Sequence, residues 1–188
     1  MPTIRVATPK DLKKAQYICI KTASAALQKN EKTARITAAL FADYYIQNES
    51  RNCFVLCDDS DEVVGYILSS TDIKSFCKAY RTDILRNVVK LSPLWGFVCL
   101  FVPVKYYVCR RKYPAHLHID ILPDFQSAGY GSKMMNALLS HLKEQKISGV
   151  MLSCSANNTR AVHFYKKHGF HTMLKVFNAQ VMGLKIQV

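Results

Sequence analysis

The residues whose types and spacing could do chemistry gather between positions 114 and 170. His116, His118 and Asp120 alternate with Leu117, Ile119 and Ile121. On an extended strand that alternation puts both histidines and the carboxylate on one face, with the apolar residues on the other. An imidazole with an unperturbed pKa of about 6.5 is poised to take a proton near neutral pH. This face is therefore the candidate general base, acting directly or through a water. A His-x-His pair followed by Asp also has ligand-like spacing, but no further ligand shell accompanies it, and no metal is expected. Structural histidines satisfied by their neighbours are the plain alternative.

Downstream, Gln126-Ser127-Ala128-Gly129-Tyr130-Gly131 joins this strand to a segment of helical period. Its glycines let backbone come close to a ligand, and the first-turn N–H groups of the following helix attract phosphate. Met134 stands where a dinucleotide fingerprint needs its third glycine, and the Gly-Lys-Ser/Thr ending of a P-loop is missing. Taken alone, the segment also fits a tight strand-to-helix turn. Cys154 could be imagined as a nucleophile, yet no basic neighbour in sequence would lower its pKa, so it reads as a buried strand thiol.

These groups need elements to hold them. His116 to Leu122 reads as a strand. Gly131 to Lys146 reads as a helix with its stripe at Met134, Met135, Leu138, Leu139 and Leu142, and Val150 to Cys154 reads as a second strand. Such a β-α-β crossover makes the strands parallel and starts the helix at the carboxyl end of the first. Asn158 stands where a helix cap belongs and Gly169 where a left-handed stop belongs; Phe170–Val176 and Ala179–Val188 supply closing strands. Before this unit, Thr3–Ala7 predicts a strand. Leu12, Ala15, Cys19, Thr22 and Ala26 predict a helix, Thr33–Gln47 a second, and Cys53–Cys57 with Val63–Ser69 an antiparallel hairpin.

Between Asp72 and Tyr113 the character changes. Nine Lys or Arg face one acid, Asp83, and Leu94–Val104 is an apolar run. That run falls short of the roughly 20 residues a membrane span requires. The stretch is expected to be an insertion covering part of a single domain, residues 1–188, as lid, dimer contact or substrate wall. Plain core packing and interfacial membrane contact remain open.

Composition agrees with a folded enzyme-sized domain. Hydrophobic residues are 49% of 188, with 7 Gly and 6 Pro, which excludes disordered, collagen-like and low-complexity classes. The formal net charge of +13 points to a polyanionic partner without naming it. Seven cysteines without Cys-x-x-Cys pairs, behind an opening that lacks an apolar leader, suggest reduced thiols and a cytoplasmic location.

The Gln126–Gly131 segment after Ile121-Leu122-Pro123-Asp124-Phe125, together with Asn158 to Phe170 downstream, closely resembles the two signature segments of the GNAT N-acetyltransferase superfamily. The likeness covers residues 114–177 well, the first 70 loosely in element order and the insertion hardly at all. The string from Tyr113 to Pro123, with its Ala115-His116-Leu117-His118-Ile119-Asp120 centre, is also similar to a subgroup containing the acetyltransferase-like domain of O-GlcNAcases.

The resemblance implies an α/β (α+β) fold with a mixed, mostly antiparallel sheet, a central parallel β-α-β pair, helices on both faces and the basic insertion between strands 3 and 4. It implies an acetyl-CoA-dependent N-acetyltransferase acting on a primary amine by direct attack in a ternary complex, with a non-catalytic CoA-binding or interaction module as the alternative. In the family the loop amides hold the pyrophosphate of acetyl-CoA while the pantetheine arm runs between splayed parallel strands. Carried over, Gln126, Ser127, Ala128, Gly129, Tyr130, Gly131 and Ser132 would cradle phosphate, and Ile119, Asp120 and Ile121 would meet pantetheine or the acetyl carbonyl through backbone groups. Asn158 would contact the cofactor. Tyr165 matches the tyrosine proposed to protonate the departing thiolate. Many members carry Arg or Lys where Ala128 stands, and Lys133 or Arg160 could supply that charge. The expected partners are acetyl-CoA and an amine-bearing small molecule or protein, with no nucleic acid, no membrane span and room for a homodimer.

Overall fold

The computed structural model describes residues 2–100 and 102–187. Seven strands form one sheet in the order β1-β2-β3-β4-β5-β7-β6. They are β1 (Thr3–Val6), β2 (Phe54–Cys57), β3 (Val63–Ser70), β4 (Ala115–Ile121), β5 (Gly149–Ser155), β6 (His171–Val176) and β7 (Ala179–Lys185). Among the described residues β4 and β5 alone run parallel; every other neighbouring pair is antiparallel. The hairpin and the β-α-β unit thus form as their periodicities predict. The last strand stops at Lys185, and Val188 lies outside the described residues.

Helices cover both faces of the sheet. On one side α1 (Leu12–Thr22), α3 (Glu31–Ala38) and α4 (Tyr44–Glu49) pack Ile18, Ile36 and Tyr45 with Tyr66 and Leu68 of β3. On the other, α9 (Tyr130–Glu144) buries Met134, Met135, Leu138 and Leu142 against Ile67, Leu117 and Val150, and α10 (Thr159–Lys167) adds Tyr165. The α9 stripe recurs at three and four residues, which directs all four side chains to one face.

Two boundaries differ from the sequence reading. The spacing predicts a first helix reaching Ala26, but it ends at Thr22, where Ala23 and Ser24 turn extended (ψ 161° and 152°) and a short helix, α2 (Ala25–Gln28), begins afresh. The Thr22 hydroxyl donates back to the Ile18 carbonyl at 2.9 Å, a local bond that competes with helix propagation. The second helix is longer than expected but contains a π-helical turn over Ala39–Asp43 between α3 and α4.

The basic segment is largely helical. Between β3 and β4 the chain forms α5 (Ile73–Ala79), α6 (Leu85–Leu91), α7 (Pro93–Cys99) and α8 (Val102–Cys109), with a second π-helical turn over Tyr80–Ile84. Asp72 caps α5 by accepting from the Lys74 and Ser75 amides, and Pro93 opens α7, as residues at helix starts should. Phe76, Tyr80, Val88, Cys99 and Tyr106 join the same core as α1 and α4. Of the apolar run Leu94–Val104, Phe101 lies outside the described residues. No helix among the described residues is long and apolar enough to cross a membrane.

Candidate active site

Two sets of groups meet at β4, one on each face of the sheet. The first is built on main chain. β4 bonds to β3 all the way from Ser70↔His116 to Gly65↔Ile121, and β5 bonds to β7 over its whole length. Between them the parallel pairing covers only Ala115↔Val150 and His116↔Met151. Past those two pairs the strands part, so Leu117–Ile121 and Leu152–Ser155 flank an open slot. The backbone groups of Ile119, Asp120 and Ile121 that do not face β3 line it.

A loop closes the mouth of that slot. The Gln126 side-chain amide donates to the Ile121 carbonyl at 2.6 Å, fixing the loop to the end of β4. Ser127 and Gly129 both have left-handed φ, +67° and +81°. At Gly129 a Cβ would meet nothing within 4 Å, so the backbone angle rather than space is what favours glycine there. At Gly131 a Cβ would lie 3.3 Å from Phe164 Cε2, so its absence lets α10 lie close against the start of α9. The first-turn N–H groups of a helix are those without a carbonyl one turn back to bond; in α9 the amides of Ser132 and Lys133 turn to the Gly129 carbonyl.

The remaining residues expected at this loop are brought to it with mixed results. Arg160 reaches it, donating to Ser127 Oγ at 3.2 Å, so a cation does stand near the position that Ala128 leaves uncharged. Lys133 sits with its ammonium 5.4 Å from the Tyr130 ring centre. Asn158 uses its side-chain oxygen to cap α10, accepting from the Ala161 amide at 3.0 Å. His168 joins the loop without having been expected there: its Nε2 lies 3.0 Å from Ser132 Oγ, tying the end of α10 to the first turn of α9. Burial, and next the charge of Lys167, lower its pKa. No spacing or motif in the sequence singles it out.

Tyr165 projects from α10 into the core between Phe164 and Phe170. Burial raises its pKa well above the ordinary phenol value, and the charge of Asp120 adds to the rise, with Cys154 and Tyr106 also contributing. Its hydroxyl is thus a donor that stays protonated, within electrostatic reach of the carboxylate on the other face.

The second set is built on side chains. His118 stacks on Phe41 of the first π-helical turn, ring centres 5.3 Å apart. Its Nδ1 lies 3.2 Å from Tyr66 Oη, which donates to Asp120 Oδ2 at 2.7 Å. A phenol has one hydrogen, so while it serves Asp120 its oxygen can accept only from a protonated Nδ1. That hydrogen-bond pattern assigns the neutral ring its proton at Nδ1 and leaves Nε2 as the lone-pair nitrogen. Nε2 and Asp120 Oδ2 are 3.5 Å apart. Cys19 completes the group: one donor atom each from Cys19, His118 and Asp120 lies within 4.8 Å of the others. The Cys19 thiol is pushed up to about 12, chiefly by burial, and the Tyr66 phenol is raised as well, again chiefly by burial.

His116 shares this face but not this exposure. It is fully buried, with Tyr45 Oη 2.8 Å from its Nε2, and Phe76 and Tyr106 pack on its ring at 4.3 Å and 4.7 Å between centres. The two histidines that alternation places together are therefore separated by packing. His118 is the accessible one.

A mostly antiparallel sheet that parts at its one parallel pair, over an amide-rich loop, is the architecture of a GNAT-type acyltransferase. The chain matches the Acetyltransferase (GNAT) family over residues 21–170 and belongs to it, which makes it an N-acetyltransferase by class. The crystal structure of SsHAT is similar at 31% identity and TM-score 0.87, over 100% of this chain and 99% of that one. Two more distant structures show the fold alone. The PaiA N-acetyltransferase from Thermoplasma acidophilum in complex with coenzyme A has 13% identity and TM-score 0.62, covering 98% of this chain and 99% of that one. The ribosomal-protein-S18-alanine N-acetyltransferase from Escherichia coli has 16% identity and TM-score 0.58, covering 100% and 96%.

Proposed function

We propose that the chain transfers the acetyl group of acetyl-CoA to a primary amine by direct attack in a ternary complex. The observation that carries this reading is the slot between β4 and β5, open beyond His116↔Met151 and closed at its mouth by the Gln126–Gly131 loop. The loop fits a diphosphate: two left-handed residues turn the chain at a helix start, where N–H groups and the dipole favour an anion. In this reading Ser127 to Ser132 hold the diphosphate, Lys133 and Arg160 supply positive charge, and Ile119 to Ile121 order the pantetheine arm through backbone groups. Asn158 positions α10 beside it. Acetyl-CoA supplies the acyl group as an activated thioester.

On the opposite face His118 is the base. An amine of pKa about 10.4 is neutral in only roughly one molecule in 2,500 at pH 7, a cost near 4.6 kcal/mol. Nε2 of His118 and the Asp120 carboxylate are two acceptors that can share one ammonium, and proton transfer to Nε2 frees the nitrogen lone pair. His118 passes that first proton to solvent, the new C–N bond forms as the C–S bond breaks and the sulfur leaves with the electron pair, and the nitrogen's second proton goes to the again-neutral His118. Tyr165 donates a hydrogen bond to that sulfur. A full proton transfer from the phenol is uphill, since a phenol's pKa of about 10 already exceeds a thiol's of about 8.5, and burial of Tyr165 widens the gap.

The test is calorimetric titration with acetyl-CoA, followed by thiol release with a panel of amines. Binding with amine-dependent thiol release is the expected result. Binding that persists with no release from any amine would instead favour a non-catalytic CoA-binding module, and absence of binding would remove the reading altogether.

A further inference from the structure

The helical segment between β3 and β4 has an inner and an outer face. The inner face packs Val88, Cys99 and Tyr106 into the core. The outer face leaves large apolar side chains in solvent: Leu94 is 75% exposed, Phe97 64% and Val108 72%, with Leu100, Val104 and Tyr107 also exposed. Leu94 and Phe97 lie three apart on α7, while Val104, Tyr107 and Val108 lie three and four apart on α8, so each helix presents one apolar stripe. Both helices bury their other sides in the same core, which turns each stripe to solvent. Single exposed apolar residues need no explanation, but six large ones between positions 94 and 108 are a concentration that points to an interaction surface.

Positive charge frames the stripe. Arg86, Lys90, Arg111 and Lys112 are exposed, and Arg110 stacks on the Tyr107 ring with its guanidinium carbon 3.6 Å from the centre. α6, which carries Arg86 and Lys90, lies tight against α7, where a Cβ on Gly96 would collide with Val89. At the end of α8 an open hollow of about 510 Å³ sets the cations Arg111 and Lys112 beside Val108, Tyr113, His171 and Met173.

We propose that this outer face docks on anionic lipid bilayers. The apolar side chains of α7 and α8 enter the boundary between headgroups and acyl chains, and the flanking cations pair with lipid phosphates and carboxylates. Both helices are under two turns and a half, so they lie in the interface rather than cross it. Charge decides against a second copy as the occupant, since a two-fold dimer would press two basic segments together. Nucleic acid would use the cations and the aromatic rings, but it leaves Leu94, Leu100, Val104 and Val108 in water. The inference is independent of acetyl transfer.

The experiment is cosedimentation of the full chain with vesicles of phosphatidylcholine, alone or with about 30% phosphatidylserine. Binding is expected to be about tenfold or more tighter to the anionic vesicles, and weaker at high salt, because each cation near the surface contributes roughly fivefold. The triple variant Leu94→Asp, Phe97→Asp, Val108→Asp should lose about tenfold or more, while Tyr17→Asp on α1 keeps wild-type binding. Arg111→Glu with Lys112→Glu, both exposed, repeats the test without touching apolar residues. Equal affinity for the two vesicle compositions, or no binding to either, overturns the proposal. So does a wild-type dimer that the triple variant converts to monomer with vesicle binding unchanged, and so does preferential binding to RNA.

Discussion

In the proposed reaction the two faces of β4 do different work by different means, a donor face for acetyl-CoA and an acceptor face for the amine. The donor face is made of main chain: an open strand edge, two left-handed residues and a helix start, all within residues 115–170. The acceptor face is made of side chains drawn from distant parts of the chain, with Cys19 from α1, Phe41 from a π-helical turn, Tyr66 from β3 and Tyr106 from α8 arranged around His116, His118 and Asp120. A cradle of amides would tolerate a change such as Ala for a cation at position 128, because its donors belong to the backbone, whereas a proton-transfer site would have no such latitude. Substitutions should therefore separate cleanly into those that cost binding and those that cost turnover.

The largest effect is expected on the acceptor face. His118→Ala should lower kcat/KM by about 10² to 10⁴, the range a general base supplies, with acetyl-CoA affinity unchanged. Asp120→Asn should follow it, and the double variant should be little worse than either, since the two groups act as a unit. Loss of acetyl-CoA affinity in parallel with turnover would break the division between the faces.

Next comes the donor face. Gly129→Val places a β-branched residue at φ +81°, at a cost of about 1–3 kcal/mol. Either the loop keeps its shape and the melting temperature falls, or it relaxes and acetyl-CoA affinity drops by about tenfold or more. Calorimetry and a thermal melt on the same sample decide between them. A variant with both quantities at wild-type values would show that this backbone angle is not required.

Tyr165→Phe bridges the two faces and should do less. The ring contacts with Phe164 and Phe170 survive, and only one hydrogen bond to the leaving sulfur is lost, about 1 kcal/mol or a little more. A fall of roughly fivefold to tenfold in kcat is expected, with stability and cofactor affinity retained. An unchanged kcat would leave Tyr165 as a packing residue.

The same contrast explains what could be read in advance. The donor face was legible because its signals are local: alternation gives β4, the three-and-four spacing gives α9, Asn158 and Gly169 bound α10. The acceptor face was legible only as far as one strand carries it, in His116, His118 and Asp120. Nothing local says that Tyr66, some fifty residues earlier, would bridge His118 and Asp120, because that depends on the register Tyr66↔Asp120 between β3 and β4. Nor does alternation distinguish His116 from His118; the difference comes from Phe76 and Tyr106 of the inserted helices closing over one and not the other. Composition marked the insertion by charge, while its helices are set by the core they cover.

The smallest effect concerns His168, the residue that pins α10 to the donor loop. Burial, with Lys167, holds its pKa below the ordinary 6.5. In the window just under 6.5 the unfolded chain then binds more protons at this position than the folded one. Stability must fall as pH drops through that window toward the folded pKa, and it recovers as pH rises above 6.5. Protonation would also place a donor where Ser132 Oγ, 3.0 Å away, can still accept, so the bond to the loop is kept and the penalty is one of desolvation. His168→Gln keeps a hydrogen-bonding side chain but cannot titrate. Thermal melts of wild type and variant between about pH 7.5 and 5 should therefore diverge, the wild type losing more on the acid side. Parallel curves would mean that the ring is solvated in the folded chain and that its burial carries no penalty on protonation.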